Sequence, residues 1–185
     1  MRRAVDLRLL FDREHYEEVM QAVLGARHSV WVATANLKDV MVEPPSAFRR
    51  RRSSYRSVLE VLAELSTRGL DLRILHASMP SRAFRRSFDA LPELVEGGVQ
   101  MRMCPRVHLK TVVVDAGLVY LGSANWTGAG LGAKGEGRRN FEIGIVTSDE
   151  QTIDVVQERY DRIWRGAECG ACRLRSECEL PLDQV

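Results

Sequence analysis

Residues 107–125 read VHLKTVVVDAGLVYLGSAN. Two apolar runs, 107–115 and 118–123, flank Ala116–Gly117, which is the pattern of two strands joined by a hairpin-like turn. His108 and Lys110 stand two residues apart, so on a strand they project from one face, and Val112 and Val114 continue that face with apolar side chains. A lysine at the end of a buried face is costly without a partner. A phosphate group would be such a partner: lysine offers charge, and imidazole offers a nucleophile or a proton. Ser123 and Asn125, also two apart, end the neighbouring strand and can donate hydrogen bonds to phosphoryl oxygens.

Outward from this hairpin, strand and helix patterns alternate. Residues 5–11 (VDLRLLF) and 29–35 (SVWVATA) read as strands, separated by a helix in which Tyr16, Val19, Met20 and Val23 share a face. Asp12 is placed to cap that helix, with Phe11 and Tyr16 as a hydrophobic staple. Residues 36–54 form a long polar loop containing Pro44 and Pro45. A helix is expected over about 55–68, ended by Gly69, then a strand at 70–75, a helix broken near Pro92, and a strand at 98–104. A glycine-rich loop covers 128–137, and NFEIGIV (140–146) is a further strand. Ser148 and Gln151 form a capping-box signature for a last helix whose inner face carries Ile153, Val156, Tyr160, Ile163 and Trp164. Two βα units followed by more strands and a helix predict an α/β fold, an α+β sandwich. Residues 1–165 read as one domain and 166–185 as a cysteine-rich tail.

The spacing H-x-K-x4-D, then G-S-x-N after six residues, resembles the signature of the phospholipase D superfamily at His108, Lys110, Asp115, Gly122, Ser123 and Asn125. N-F-E at Asn140, Phe141 and Glu142 is similar to an element that the compact nuclease members carry on the strand after the glycine-rich loop. The resemblance implies a mixed sheet flanked by helices. It implies that His108 attacks phosphorus to form a phosphohistidine, with Lys110 and Asn125 on the non-bridging oxygens, Ser123 in support and Glu142 orienting the imidazole. Asp115 belongs to the motif, but its place before Ala116–Gly117 suits a structural role. The covalent route needs no metal, so no catalytic cofactor is expected. It does need a second protonated group for the leaving oxygen. The chain has one H-x-K, and a twofold homodimer with a shared active site would supply the other.

Lysine occurs only at positions 38, 110 and 134, so arginine dominates the 27 basic residues. Arg49, Arg50, Arg51 and Arg52 in the long loop, with Arg138 and Arg139 before Asn140, are candidates for gripping a phosphate backbone, and Phe48 and Tyr55 for stacking on bases. Arg82, Arg85 and Arg86 form a second cluster that reads equally as a solvated face. These features favour a nuclease acting on DNA or RNA. A phospholipase D-type lipid hydrolase, with a modest contact from Val40, Met41, Val42 and Phe48, and an inactive nucleic-acid-binding subunit are the alternatives. Net charge is only +2 and decides little. No run approaches the length of a membrane span, and the N-terminus lacks a signal-peptide pattern, so cytoplasm is the expected location.

Cys169, Cys172 and Cys178 have a metal-ligand spacing, C-x2-C-x5-C, similar to the last three ligands of some [4Fe–4S] loops. Cys104 or His76 would be the fourth ligand, and the group a structural zinc or [4Fe–4S] cluster. Otherwise the cysteines are simply reduced thiols in a loose tail.

Overall fold

The computed structural model describes residues 3–43 and 55–185. Among the described residues nine strands form: β1 (Arg8–Phe11), β2 (Ser29–Thr34), β3 (Met41–Val42), β4 (Arg56–Ser57), β5 (Asp71–His76), β6 (Gln100–Met103), β7 (Thr111–Val114), β8 (Leu118–Gly122) and β9 (Ile143–Thr147). Seven of them make one mixed sheet in the order β1-β9-β8-β7-β2-β5-β6, and β3 pairs with β4 in a small ribbon. Strands β2, β5 and β6 run parallel; the β7–β8–β9–β1 side is antiparallel.

Both faces of the central strands are covered, which is why β7 reads as an unbroken apolar run rather than an alternation. Val30, Val32, Val112 and Val114 point into a core shared with a π-helical turn (Tyr16–Met20) running into α1 (Gln21–Leu24), and with α2 (Val58–Thr67) and α3 (Arg82–Asp89). The opposite residues Ala33 and Val113 meet α4 (Glu150–Trp164) through Ile153, Tyr160 and Trp164. The expected mixed sheet between helical layers is therefore the fold. Among the described residues no helix is long and apolar enough to cross a membrane.

Several local expectations shift for clear physical reasons. Phe11 is half exposed on the outer sheet face, so it staples nothing; its N–H donates instead to Glu14 (2.9 Å). The cap of α4 is Asp149, not Ser148: its carboxylate accepts from Thr152 N at 2.8 Å and also pairs with Arg3. Val40 and Val42 are fully buried and so cannot join the proposed lipid contact, leaving Met41 of that trio at the surface. Arg49–Arg52 and Phe48 lie outside the described residues.

Buried Ser57 caps α2, accepting from Leu59 N (3.0 Å) while donating to Asp39 (2.6 Å). Ser57→Ala removes both bonds and should lower stability by about 1–2 kcal/mol, read by chemical denaturation. An unchanged midpoint would mean that water replaces the cap without cost.

Candidate active site

Four strand ends meet at one edge of the sheet. His108 and Lys110 immediately precede β7, Ser123 and Asn125 follow β8, Glu142 precedes β9, and Thr34 ends β2. Because β7 pairs antiparallel with both β2 and β8, and β8 with β9, these termini lie side by side. Gly122 N donates to Lys110 O (3.1 Å) and Ser123 N to Ile143 O (3.0 Å), tying the three segments together.

The strand begins at Thr111, so His108 and Lys110 sit on an extended lead-in rather than on the ladder. That frees them from the sheet's alternation. His108 is exposed and Lys110 half-buried, so the premise of a lysine closing a buried face does not hold. Lys110 Nζ donates to His108 O (2.9 Å) and lies 3.4 Å from His108 Nδ1. Burial lowers the Lys110 pKa from the ordinary lysine value, and the nearby Glu142 charge opposes that shift.

Glu142 is held on three sides. Ser123 Oγ donates to one carboxylate oxygen and Asn140 Nδ2 to the other (3.0 Å). Its backbone N–H reaches Asp12 Oδ1 (3.3 Å), and its carbonyl accepts from Asp12 N (3.2 Å). These bonds go to Ser123 and Asn140 rather than to His108, so the placed carboxylate steadies Ser123 and faces the Lys110 charge instead of gripping the imidazole. Asp12, expected as a helix cap, is a brace for this edge. It adopts a left-handed backbone (φ 45°), which aspartate tolerates better than most residues. Its carbonyl lies 3.0 Å from Nδ1 of the fully buried His15.

Asn125 is fixed through its acceptor: Oδ1 receives Asn36 N at 3.2 Å, and Trp126 N donates to Thr34 Oγ1 at 2.9 Å alongside. The amide's donor end remains for a ligand oxygen. The motif glycine has a packing reason. A Cβ on Gly122 would sit 2.2 Å from the Tyr120 hydroxyl, and one on Gly144 would sit 2.4 Å from the same ring. The Tyr120 ring lies close against both glycines, and burial pushes its pKa up to about 12.

Asp115 is elsewhere. It sits in the β7–β8 turn, roughly 20 Å along the chain from His108 at strand rise. Its carboxylate accepts from the backbone N–H groups of Arg27 (2.9 Å), His28 (2.7 Å) and Ser29 (2.9 Å). These bonds pin the turn to the start of β2, a structural task.

A cavity of about 280 Å³ opens beside His108, lined also by Arg106, Leu109, Arg159, Ile163 and Glu168. Arg106 and Arg159 were not singled out in the sequence; the only signal was arginine two places before the histidine. Arg138 ends a short helical turn and Arg139 caps it just before Asn140, and neither makes an ion pair among the described residues. Arg82, Arg85 and Arg86 are exposed on α3, and Arg56 is neutralised by Glu64.

The tail packs back on the domain, with Pro181 and Leu182 buried and Leu182 against Tyr160 and Trp164. All four cysteines are free thiols. Among the described residues no group of three or more His, Cys, Asp or Glu side chains is drawn together as an ion-holding cluster. His76 Nδ1 lies 2.9 Å from Ser78 O, and β5 and β6 are the parallel neighbours that place His76 and Cys104 at one sheet edge.

A mixed sheet with a histidine, lysine, serine, asparagine and glutamate gathered at one edge defines a phospholipase D-like domain. The family model described as "Cardiolipin synthase, PLD-like domain" matches residues 19–164, and the chain belongs to that family. It is 25% identical over 149 residues to a cardiolipin synthase of Listeria monocytogenes, covering 76% of this chain and 30% of that protein. It is 26% identical over 151 residues to cardiolipin synthase 2 of Bacillus anthracis, covering 79% and 25%. The chain thus spans less than a third of the length of these curated relatives. In fold it is similar to a phospholipase D family member, Nuc, from Salmonella typhimurium (TM-score 0.61, 18% identity, 88% of this chain and 95% of that one). It is also similar to NucT from Helicobacter pylori (TM-score 0.60, 16% identity, 86% and 95%).

Proposed function

We propose that the chain is a phosphodiesterase that cleaves nucleic acid through a covalent phosphohistidine on His108. The observation that carries this reading is the convergence of His108, Lys110, Ser123, Asn125 and Glu142 at one sheet edge. Lys110 and the Asn125 amide hold the non-bridging oxygens. When Lys110 moves onto the phosphate it leaves His108 Nδ1 free to carry the proton, and Nε2 attacks. The imidazole displaces the leaving oxygen, and water then splits the phosphorus–nitrogen bond. A metal ion is not required for either displacement.

The leaving oxygen takes its proton from a second imidazole. A second copy of this chain supplies it, in a homodimer built across the catalytic edge. Phe141, beside Glu142, is 97% exposed, and Leu9, Phe11 and Ile143 continue an apolar strip over the uncovered outer face of β1 and β9. Burial of such a strip is the ordinary driving force for association.

Arginines select the substrate. Arg106 lines the cavity at His108, and Arg138 and Arg139 precede the Asn140–Glu142 element. Such a surface suits a polyanion read by its backbone. Lipid is the second reading, favoured by the likeness to cardiolipin synthases. Cleavage of a labelled single-stranded oligonucleotide is compared with release of headgroup from phosphatidylglycerol vesicles, with EDTA present. The nuclease reading expects the first and not the second; the reverse result replaces it with the lipid one. Arg138→Ala with Arg139→Ala should weaken oligonucleotide binding for all sequences and reduce the salt slope by roughly 1–2. An unchanged slope would place the backbone path elsewhere.

A further inference from the structure

We propose that Cys104, Cys169, Cys172 and Cys178 form a four-thiolate site for one zinc ion, which locks the tail onto the segment that carries His108. Cys104 lies 65 residues before Cys169, yet it and the three tail cysteines all line one small cavity, together with Arg106 and Arg175; their sulfurs are not drawn into an ion-holding cluster in this structure, and the ion would gather them. These are every cysteine in the chain. The site does not depend on which substrate the domain cleaves.

The backbone builds the site from both sides. Cys104 follows β6, anchored by its N–H to His76 O (2.8 Å). On the tail, short turns present the other three: Cys169 N bonds Gly166 O (2.9 Å), Cys172 N bonds Cys169 O (3.1 Å) and Cys178 N bonds Arg175 O (3.3 Å). Gly166 starts the reversal with a left-handed backbone (φ 71°), and Asp183 passes so close that any Cβ there would lie 2.2 Å from its nitrogen. The tail itself has little to hold it. Leu174 and Leu180 are exposed, and Pro181 and Leu182 are its buried apolar anchors. A segment so poor in core residues needs a staple, and metal binding supplies folding free energy directly.

Donor set and charge favour the ion. Four thiolates suit a single tetrahedral Zn²⁺, with the sulfurs drawn inward to about 2.3 Å. Binding exchanges four thiol protons for one Zn²⁺ and leaves the centre with two negative charges. Arg106 and Arg175 line the same cavity and bring positive charge to it, Arg175 while also pairing with Asp183 (2.7 Å). This is the outer-shell support that thiolate sites use. Cys104 is the fourth ligand rather than His76, because Cys104 lines one cavity with all three tail cysteines, whereas His76 shares a cavity with Cys178 alone and its Nδ1 lies 2.9 Å from Ser78 O.

The consequence for the active site follows from sequence distance. Cys104 and His108 bound one short loop, and Arg106 in its middle lines both the cysteine cavity and the larger one at His108. Zinc therefore fixes the loop from one side while β7 fixes it from the other.

Elemental analysis of the full chain purified without chelator should find one zinc per chain, lost in Cys104→Ser and in Cys172→Ser and kept in His76→Ala. Because a cysteine variant can misfold, the wild-type protein is also stripped of metal and titrated with Co²⁺. The site predicts the intense sulfur-to-cobalt charge-transfer absorption of a tetrahedral thiolate centre, saturating at one equivalent, and protection of four thiols from Ellman's reagent. Zinc lost from His76→Ala and kept in Cys104→Ser would overturn the ligand assignment. Iron with acid-labile sulfide would overturn the mononuclear centre. Metal-free protein with no cobalt–thiolate band would overturn the site altogether, whatever the outcome of the cleavage assays.

Discussion

His108→Ala is expected to reduce phosphodiester cleavage by about ten-thousandfold or more, with binding and fold retained. A covalent nucleophile cannot be replaced by a neighbour, and its loss removes the whole two-step route rather than one stabilising contact. Lys110 and Asn125 remain to hold the phosphate, so affinity for a non-cleaved oligonucleotide should change only a few-fold. The imidazole is exposed on an extended lead-in, and Lys110 Nζ approaches its Nδ1 only to 3.4 Å. Truncation should therefore shift stability by no more than about 0.5 kcal/mol. Rates of cleavage, filter binding and a denaturation curve on the same preparation check the three parts together. A large loss of stability would show that His108 is a packing residue, and a retained rate would remove it from the chemistry.

Asp115→Ala should do the opposite. The change leaves three backbone N–H groups, of Arg27, His28 and Ser29, without their acceptor, and puts alanine at φ 54°. Loss of charge-assisted bonds with a disfavoured left-handed backbone is expected to cost about 2–4 kcal/mol. Cleavage per folded molecule should be unchanged, because the turn is at the far end of β7 from His108. Asp115→Asn keeps an acceptor and tolerance of that backbone, and should lose less.

The pH dependence has a definite sign. Partial burial raises the Asp115 pKa, the bonds from Ser29, His28 and Arg27 lower it, and the net direction is down from the ordinary carboxylate value. A depressed carboxylate contributes stability that is complete above its unfolded pKa, about 3.9, and is lost as pH falls through the folded value. Wild type should therefore lose stability on acidification below about pH 4, and Asp115→Ala should show a smaller loss over the same window. Parallel acid profiles for the two proteins would mean that the turn carboxylate is not coupled to folding.

These two residues lie in one motif, and the contrast explains what could be seen in the sequence. Element types were legible because apolar runs and turn residues record burial directly. The unbroken TVVV of β7 announced a strand covered on both faces, and Gly69 ends α2 with φ 82° as its place predicted. The gathering of side chains at one edge was legible in part: two-residue spacings pointed to 108 with 110 and to 123 with 125, while 142 came only with the family resemblance. Support from outside the motif was not legible. Asp12 reads as a helix cap but braces Glu142, and Asn125 is fixed by Thr34 at the end of β2 and by Asn36 just beyond it. Such contacts depend on which strands become neighbours, and β1 beside β9 pairs opposite ends of the chain. The role of Gly122 was likewise hidden, since the ring that excludes a side chain there belongs to Tyr120 two residues earlier.

The most direct test is to trap the intermediate. Wild-type protein is mixed with a substrate labelled at the scissile phosphate in EDTA, quenched with base during turnover, and digested for mass analysis. A base-stable, acid-labile phosphoryl adduct on the peptide containing His108, absent from His108→Ala, is the result expected here. Turnover at full rate with no adduct on any histidine, under conditions that preserve phosphohistidine, would contradict it.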